Sequence, residues 1–174
     1  WLKSLVPDIN LAYLSGFYKL DERSAIGASL RYFSLGQIQL TDANQQDLGI
    51  YSPNEFAFDA TFAKRFGEEF SLGTTARFIY SNLTSGQFSA GQETKAGKAF
   101  AVDVSAYYKR PTILFGKDAI VSGGLNLSNI GPKIGYVSGG NDYFLPTNFK
   151  LGGASTLIID DYSQFTFALD FKKL

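Results

Sequence analysis

Apolar and polar residues alternate along most of this chain with a period of two. In Phe56-Ala57-Phe58-Asp59-Ala60-Thr61-Phe62 the even positions are apolar, except that Ala60 is small, and the odd positions are small or polar. That is the pattern of a β-strand with one apolar face. The same alternation marks runs at 9–17, 26–32, 56–62, 72–80, 100–108, 119–127, 149–159 and 165–171, and no stretch reads as a helix. In the first run we take Ile9, Leu11, Tyr13 and Phe17 as the apolar row. With their flanks the runs reach about 10–13 residues, longer than the ~5–6 of soluble strands and close to the ~9–11 that cross a bilayer at a tilt.

The connections alternate too. Residues 20–23, 67–69 and 160–162 are short turns and 110–117 is slightly longer, whereas 36–54, 81–98 and 128–147 are long and polar. Short turns on one side and long loops on the other are expected of an outer-membrane barrel. A soluble up-and-down barrel can alternate in the same way, with its apolar face inward. The small polar set Ser29, Thr61, Thr75, Ser105 and Thr166 suits a wet or plugged lumen and favours the membrane reading. The fold expected is therefore all-β, a transmembrane antiparallel up-and-down β-barrel forming a single domain over 1–174. The first and last runs both have their free ends on the long-loop side. That predicts an internal part of a larger barrel, the other reading being a complete eight-stranded barrel of unusual orientation.

Composition narrows the chemistry. Sixteen Lys and Arg balance sixteen Asp and Glu, so no basic excess exists to bind nucleic acid. The absence of Cys and His removes a disulfide scaffold, the usual metal ligands and the usual general base. What remains is aromatic and glycine-rich, with 16 Phe, 10 Tyr and 18 Gly. No apolar run approaches the ~18 residues of a membrane helix. Asp160-Asp161 and Glu68-Glu69 read as solvated turns, and no catalytic or cofactor constellation is expected.

The charges follow strand parity. Arg31, Asp59, Arg77, Asp103, Lys150 and Asp170 fall opposite the apolar rows and form the expected lumen charge network. A turn centred on Glu68 makes antiparallel partners sum to 136, which sets Asp59 across from Arg77. Lys150 and Asp170 would repeat that pairing if the 160–162 turn is centred on Asp160. Mixed signs favour a structural plug over a conducting filter. Tyr13, Tyr32, Tyr80 and Tyr108 are candidates for an aromatic girdle. Gly123 and Gly153 mark a smooth outward patch that barrel curvature explains as well as a partner would. Phe88, Tyr143 and Phe144 in the long loops are candidate partner or cargo contacts, or parts of a lid.

Several longer stretches carry a family resemblance. They are Val6-Pro7-Asp8-Ile9-Asn10-Leu11-Ala12-Tyr13, Ser29-Leu30-Arg31-Tyr32-Phe33-Ser34-Leu35-Gly36, Tyr51-Ser52-Pro53-Asn54-Glu55-Phe56, Glu93-Thr94-Lys95-Ala96-Gly97, Asn126-Leu127-Ser128-Asn129-Ile130-Gly131-Pro132-Lys133-Ile134 and Leu145-Pro146. Together they make the chain resemble the PorV family, outer-membrane barrels of the type IX secretion system within the FadL-like superfamily. The resemblance implies a FadL-like barrel of about fourteen strands, of which about eight are present here. It implies a non-enzymatic subunit in the cell outer membrane, without cofactor. Its partners would be outer-membrane lipid, the SprA (Sov-type) translocon barrel, cargo proteins bearing a C-terminal signal domain, and a PorU-type sortase attachment complex. The competing reading is a FadL-like transporter of small hydrophobic molecules. A passive porin would need a one-sign constriction, which the balanced charges disfavour.

Overall fold

The computed structural model describes residues 2–6, 9–41, 46–83, 88–89, 92–137, 140 and 142–173. Its strands are β1 (Leu2–Val6), β2 (Ile9–Lys19), β3 (Ser24–Ser34), β4 (Ile38–Thr41), β5 (Asp47–Tyr51), β6 (Asn54–Phe66), β7 (Phe70–Asn82), β8 (Phe88–Ser89), β9 (Gln92–Glu93), β10 (Gly97–Leu114), β11 (Lys117–Ile130), β12 (Asn148–Ile158) and β13 (Gln164–Lys173). Nine of them form one antiparallel sheet in the order β1-β2-β3-β6-β7-β10-β11-β12-β13, which curls into a half-barrel. Eight of the nine are the long alternating runs; the ninth is the short β1, paired with the start of β2. The first two long connections carry small hairpins, β4–β5 and β8–β9. The connection expected at 110–117 tightens to Phe115 and Gly116, both at positive φ, because β10 stays paired with β11 as far as Leu114–Lys117.

Residues directly opposite in an antiparallel pair share a face, so the register settles which side each residue takes. One face carries the rows Tyr32–Phe56–Tyr80–Lys98 and Leu30–Phe58–Phe78–Phe100. The other carries Ser29–Asp59–Arg77–Ala101 and Gly27–Thr61–Thr75–Asp103. On the outer rows Phe58 is 48% exposed and Phe167 64%, whereas Asp59 is 7% and Asp103 8% exposed. Neighbours on a concave surface shield one another, so the ionic rows line the inside of the curl and the aromatic rows its outside. Aromatic contacts knit the outer face: Phe56 stacks on Tyr80 at 5.0 Å between centroids, and Phe78 meets Phe100 at 5.1 Å.

The first run has the opposite phase to the one expected. Leu14 lies across from Leu30 and Ala12 from Tyr32, so Ala12, Leu14, Gly16 and Tyr18 belong to the outer face. Leu11, Tyr13 and Phe17 share the inner face with Arg31, Ser29 and Gly27. Both rows of this strand are apolar, so alternation alone could not choose between them. Pairing with β3 decides, since a one-residue slip would turn every side chain over.

The third long connection folds inward. Ile134 and Leu145 are buried against Ala99 and Ala101 of β10, with Ile79 and Tyr136 packed alongside. Paired backbone hydrogen bonds between Ile134 and Tyr143 close this segment on itself. A bridge between Thr94 and Val137 ties it to the segment before β10. The small apolar core of the molecule thus sits between the concave sheet and this connection, at the long-loop end.

Candidate functional site

The inner face is organised around Arg77. Its position on β7 is set by the tight turn before Phe70, which places Asp59 of β6 directly across the ladder. The guanidinium donates through Nε to Asp59 Oδ1 at 2.6 Å and through Nη2 to Asp59 Oδ2 at 3.2 Å. Its Nη2 lies 3.0 Å from Asp103 Oδ2 on the other side. The planar fork thereby spans three adjacent strands, a geometry that favours Arg over Lys. Ser29 adds a hydrogen bond to Asp59 from β3 at 3.1 Å.

Asn129 completes the arrangement. It sits at φ 60°, where the β10–β11 register shifts between Val102 and Val104. Asparagine tolerates this left-handed conformation better than most residues. Its side-chain oxygen accepts from Arg77 Nη1 at 2.5 Å, and its backbone N–H donates to Asp103 Oδ1 at 2.8 Å. Its amide nitrogen donates to the Pro146 carbonyl at 3.1 Å, and the Thr147 hydroxyl donates to its carbonyl at 3.3 Å. Both ends of the inward-folded connection are therefore fastened to the ion cluster. A second chain of contacts holds its middle: Tyr136 Oη donates to Ser81 Oγ at 2.9 Å, and Ser81 donates onward to Glu55 Oε1 at 2.5 Å. The cluster can hold a strap closed.

The residues singled out from sequence divide accordingly. Asp59, Arg77 and Asp103 come together. Arg31 is on the same face but is exposed, its guanidinium 6.0 Å from the centroid of the Tyr13 ring. Lys150 and Asp170 also face inward, but they do not stand opposite one another. The β12–β13 turn is centred on Asp161, so Lys150 faces Lys172 and Asp170 faces Gly152. Tyr32, Tyr80 and Tyr108 lie on the outer face, while Tyr13 lies across from Arg31 on the inner one. Tyr143 and Phe144 are exposed, with Lys133 Nζ 4.4 Å from the Phe144 ring centroid. The side chain of Phe88 lies outside the described residues, as do residues 84–87 of its loop. Asn129, Ser81, Tyr136 and Glu55 were not anticipated. The signal available for Asn129 was Asn-Ile-Gly-Pro at the end of a strand, a turn sequence in which Asn readily takes positive φ.

Between the sheet and the folded connection lies a cavity of ≈ 410 Å³, lined by Phe33, Ile79, Ile134 and Leu145 with Arg31 and Arg77 at its polar side. At the short-turn end, Asp21 and Asp160 cap their own turns. The N–H of Arg23 reaches Asp21 Oδ1 at 2.6 Å and that of Tyr162 reaches Asp160 Oδ1 at 2.9 Å. These bonds stabilise the ionised form and hold both carboxyls below their ordinary range.

A curled, all-antiparallel sheet with its ion cluster inside and its aromatic rows outside defines a β-barrel type of protein, here seen as half of the curl. The chain belongs to the PorV family: the family described as Type IX secretion system protein PorV matches residues 1–174, the whole chain. It is thus a type IX secretion system protein. No curated protein matches the chain.

Proposed function

We propose that the chain lies in the cell outer membrane as part of a FadL-like barrel of about fourteen strands. There it works without catalysis, binding the SprA-type translocon barrel, receiving cargo through its C-terminal signal domain, and passing it to the PorU-type attachment complex. The exposed outer rows suit hydrocarbon, with Tyr32 and Tyr80 at one end and Tyr108 at the other forming the girdles. Burying Arg77 inside the curl avoids the ~2–4 kcal/mol that a lipid-facing Arg costs at mid-depth. The mixed-sign inner face then plugs the barrel.

The single observation that carries the binding role is the strapped connection, residues 129–137 and 142–147. It covers the concave face at the long-loop end and holds the exposed aromatics Tyr143 and Phe144 on a pinned backbone. Binding anchors presented on an ordered segment lose little entropy on docking. Detergent extraction followed by mass spectrometry tests this directly. A very large barrel protein and secreted proteins with a C-terminal signal domain are expected to come along, and recovery should fall at least about 30-fold in Tyr143→Ala/Phe144→Ala. A protein that is extracted alone overturns the proposal.

One observation favours the transporter reading: the ≈ 410 Å³ cavity has apolar walls and a polar side bearing Arg31, Arg77 and Glu55, which suits a small amphiphile. Tight retention of a long-chain fatty acid without protein partners would decide for it.

A further inference from the structure

We propose that the long-loop rim of the sheet, where the outer face meets the folded-in connection, carries a binding site for the phosphorylated headgroup of a membrane lipid, built from Lys95, Lys98 and Tyr80. The site rests on the reading that the aromatic rows meet hydrocarbon. Lys98 occupies the outer row of β10, opposite Tyr80 of β7, with its Nζ 6.0 Å from the Tyr80 ring centroid. One step along the same row comes Phe100, which is 68% exposed. Phe78 stands opposite Phe100, and Phe56 stacks on Tyr80. The ammonium group therefore sits where the apolar band ends, towards the long loops.

A second cation reaches the same place. Lys95, Lys98 and Tyr80 line one open pocket of ≈ 580 Å³ together with Ala96, Gly135 and Asp142. Lys95 is not on a loose loop, because its N–H donates to the Tyr136 carbonyl at 2.8 Å and its neighbour Thr94 bridges to Val137. Neither lysine forms an ion pair among the described residues. Asp142 takes back one charge, leaving the pocket with a net +1. A phosphate monoester carries about −1.5 to −2 at neutral pH and offers three acceptor oxygens; two ammonium groups and a phenol answer it better than they answer a single carboxylate. The lipid's chains would then run down the ladder of Phe56, Phe78 and Phe100. Lys64 is a second outer-row cation, at the other end of the sheet. Its ammonium lies on the outer row, 5.8 Å from the Phe66 centroid, in a pocket that holds Lys19, Arg23 and Arg65 as well as Asp21 and Glu22.

Native mass spectrometry of the full chain in an uncharged detergent tests the site, with phosphatidic acid and diacylglycerol of identical chains as probes. Phosphatidic acid should be retained over diacylglycerol, and retention should weaken about fivefold for each of Lys95→Ala and Lys98→Ala. Equal retention of the two lipids, or no loss in the Lys95→Ala/Lys98→Ala double variant, overturns the site while the membrane placement stands. Inorganic phosphate binding as tightly as phosphatidic acid would make this an ion site and overturn the lipid assignment. A chain that stays in solution without detergent and takes up neither lipid overturns the membrane placement and the site with it.

Discussion

On the concave face, the β6–β7–β10 region and the β11–β12–β13 region carry their charges in opposite ways. In the first, Asp59, Arg77 and Asp103 interlock within 3.2 Å, with side chains 10–14% exposed. Asn129 and the inward connection cover them. In the second, Lys150 stands opposite Lys172, Asp170 lies beside Gly152, and all of these charges are exposed. Gly124 and Gly152 face each other there, leaving little side-chain bulk to bury anything. Removing ions from water costs several kcal/mol each and is offset only by close partners and filled hydrogen-bonding capacity. The first region meets that condition. The second does not need to, since water screens its like charges.

The largest expected effect comes from breaking the interlocked side. Arg77→Ala leaves two buried carboxylates facing each other and should destabilise the protein by about 3–5 kcal/mol, read as a lower urea midpoint in detergent. Replacing the cluster as a unit, with Arg77→Met, Asp59→Asn and Asp103→Asn, should recover most of the loss. If Arg77→Ala proved neutral, the contrast between the regions would collapse. Next comes Asn129→Ala, which removes a hydrogen bond to a charged group and should cost about 1.5–3 kcal/mol. Its sharper signature is faster limited proteolysis within 131–147, while β12–β13 stays protected. In the open region, Lys172→Glu places an opposite charge across from Lys150 and should add about 0.2–1 kcal/mol; the same unfolding measurement should show a small rise.

The smallest effect separates the turns from both regions. Asp21 and Asp160 have lowered folded values relative to the ordinary 3.8. Their contribution is therefore complete above that value and is lost as pH falls through the folded value. Amide exchange at Arg23 and Tyr162 should quicken only in that acid range. In Asp21→Asn the pH dependence at Arg23 should vanish.

Much of this was legible from particular residues. The Gly67-Glu68-Glu69 turn is short and glycine-led, so its centre was unambiguous and Asp59 fell across from Arg77. The same arithmetic applied to the 20–23 turn, centred on Glu22, would have put even residues of β2 with even residues of β3 and corrected the phase of the first strand. The 160–162 turn failed because two consecutive aspartates allow either centre; a shift of one residue in the centre moves every partner by two, and Lys150 met Lys172 instead of Asp170.

Side-chain alternation and short turns are local properties, and they determined without further help that the chain is a meander of long antiparallel strands with ionic and aromatic residues on opposite faces. What joins strands across a long connection is not local. That Asp103 becomes the third partner of Arg77, that Asn129 adopts its left-handed turn to bind both, and that residues 131–137 and 142–147 fold inward were decided by tertiary structure alone. Such contacts depend on the stagger of β7 against β10 and on the bulge between β10 and β11, which no period in the chain encodes. They form because a buried ion must find its complement wherever the curl of the sheet brings one within reach.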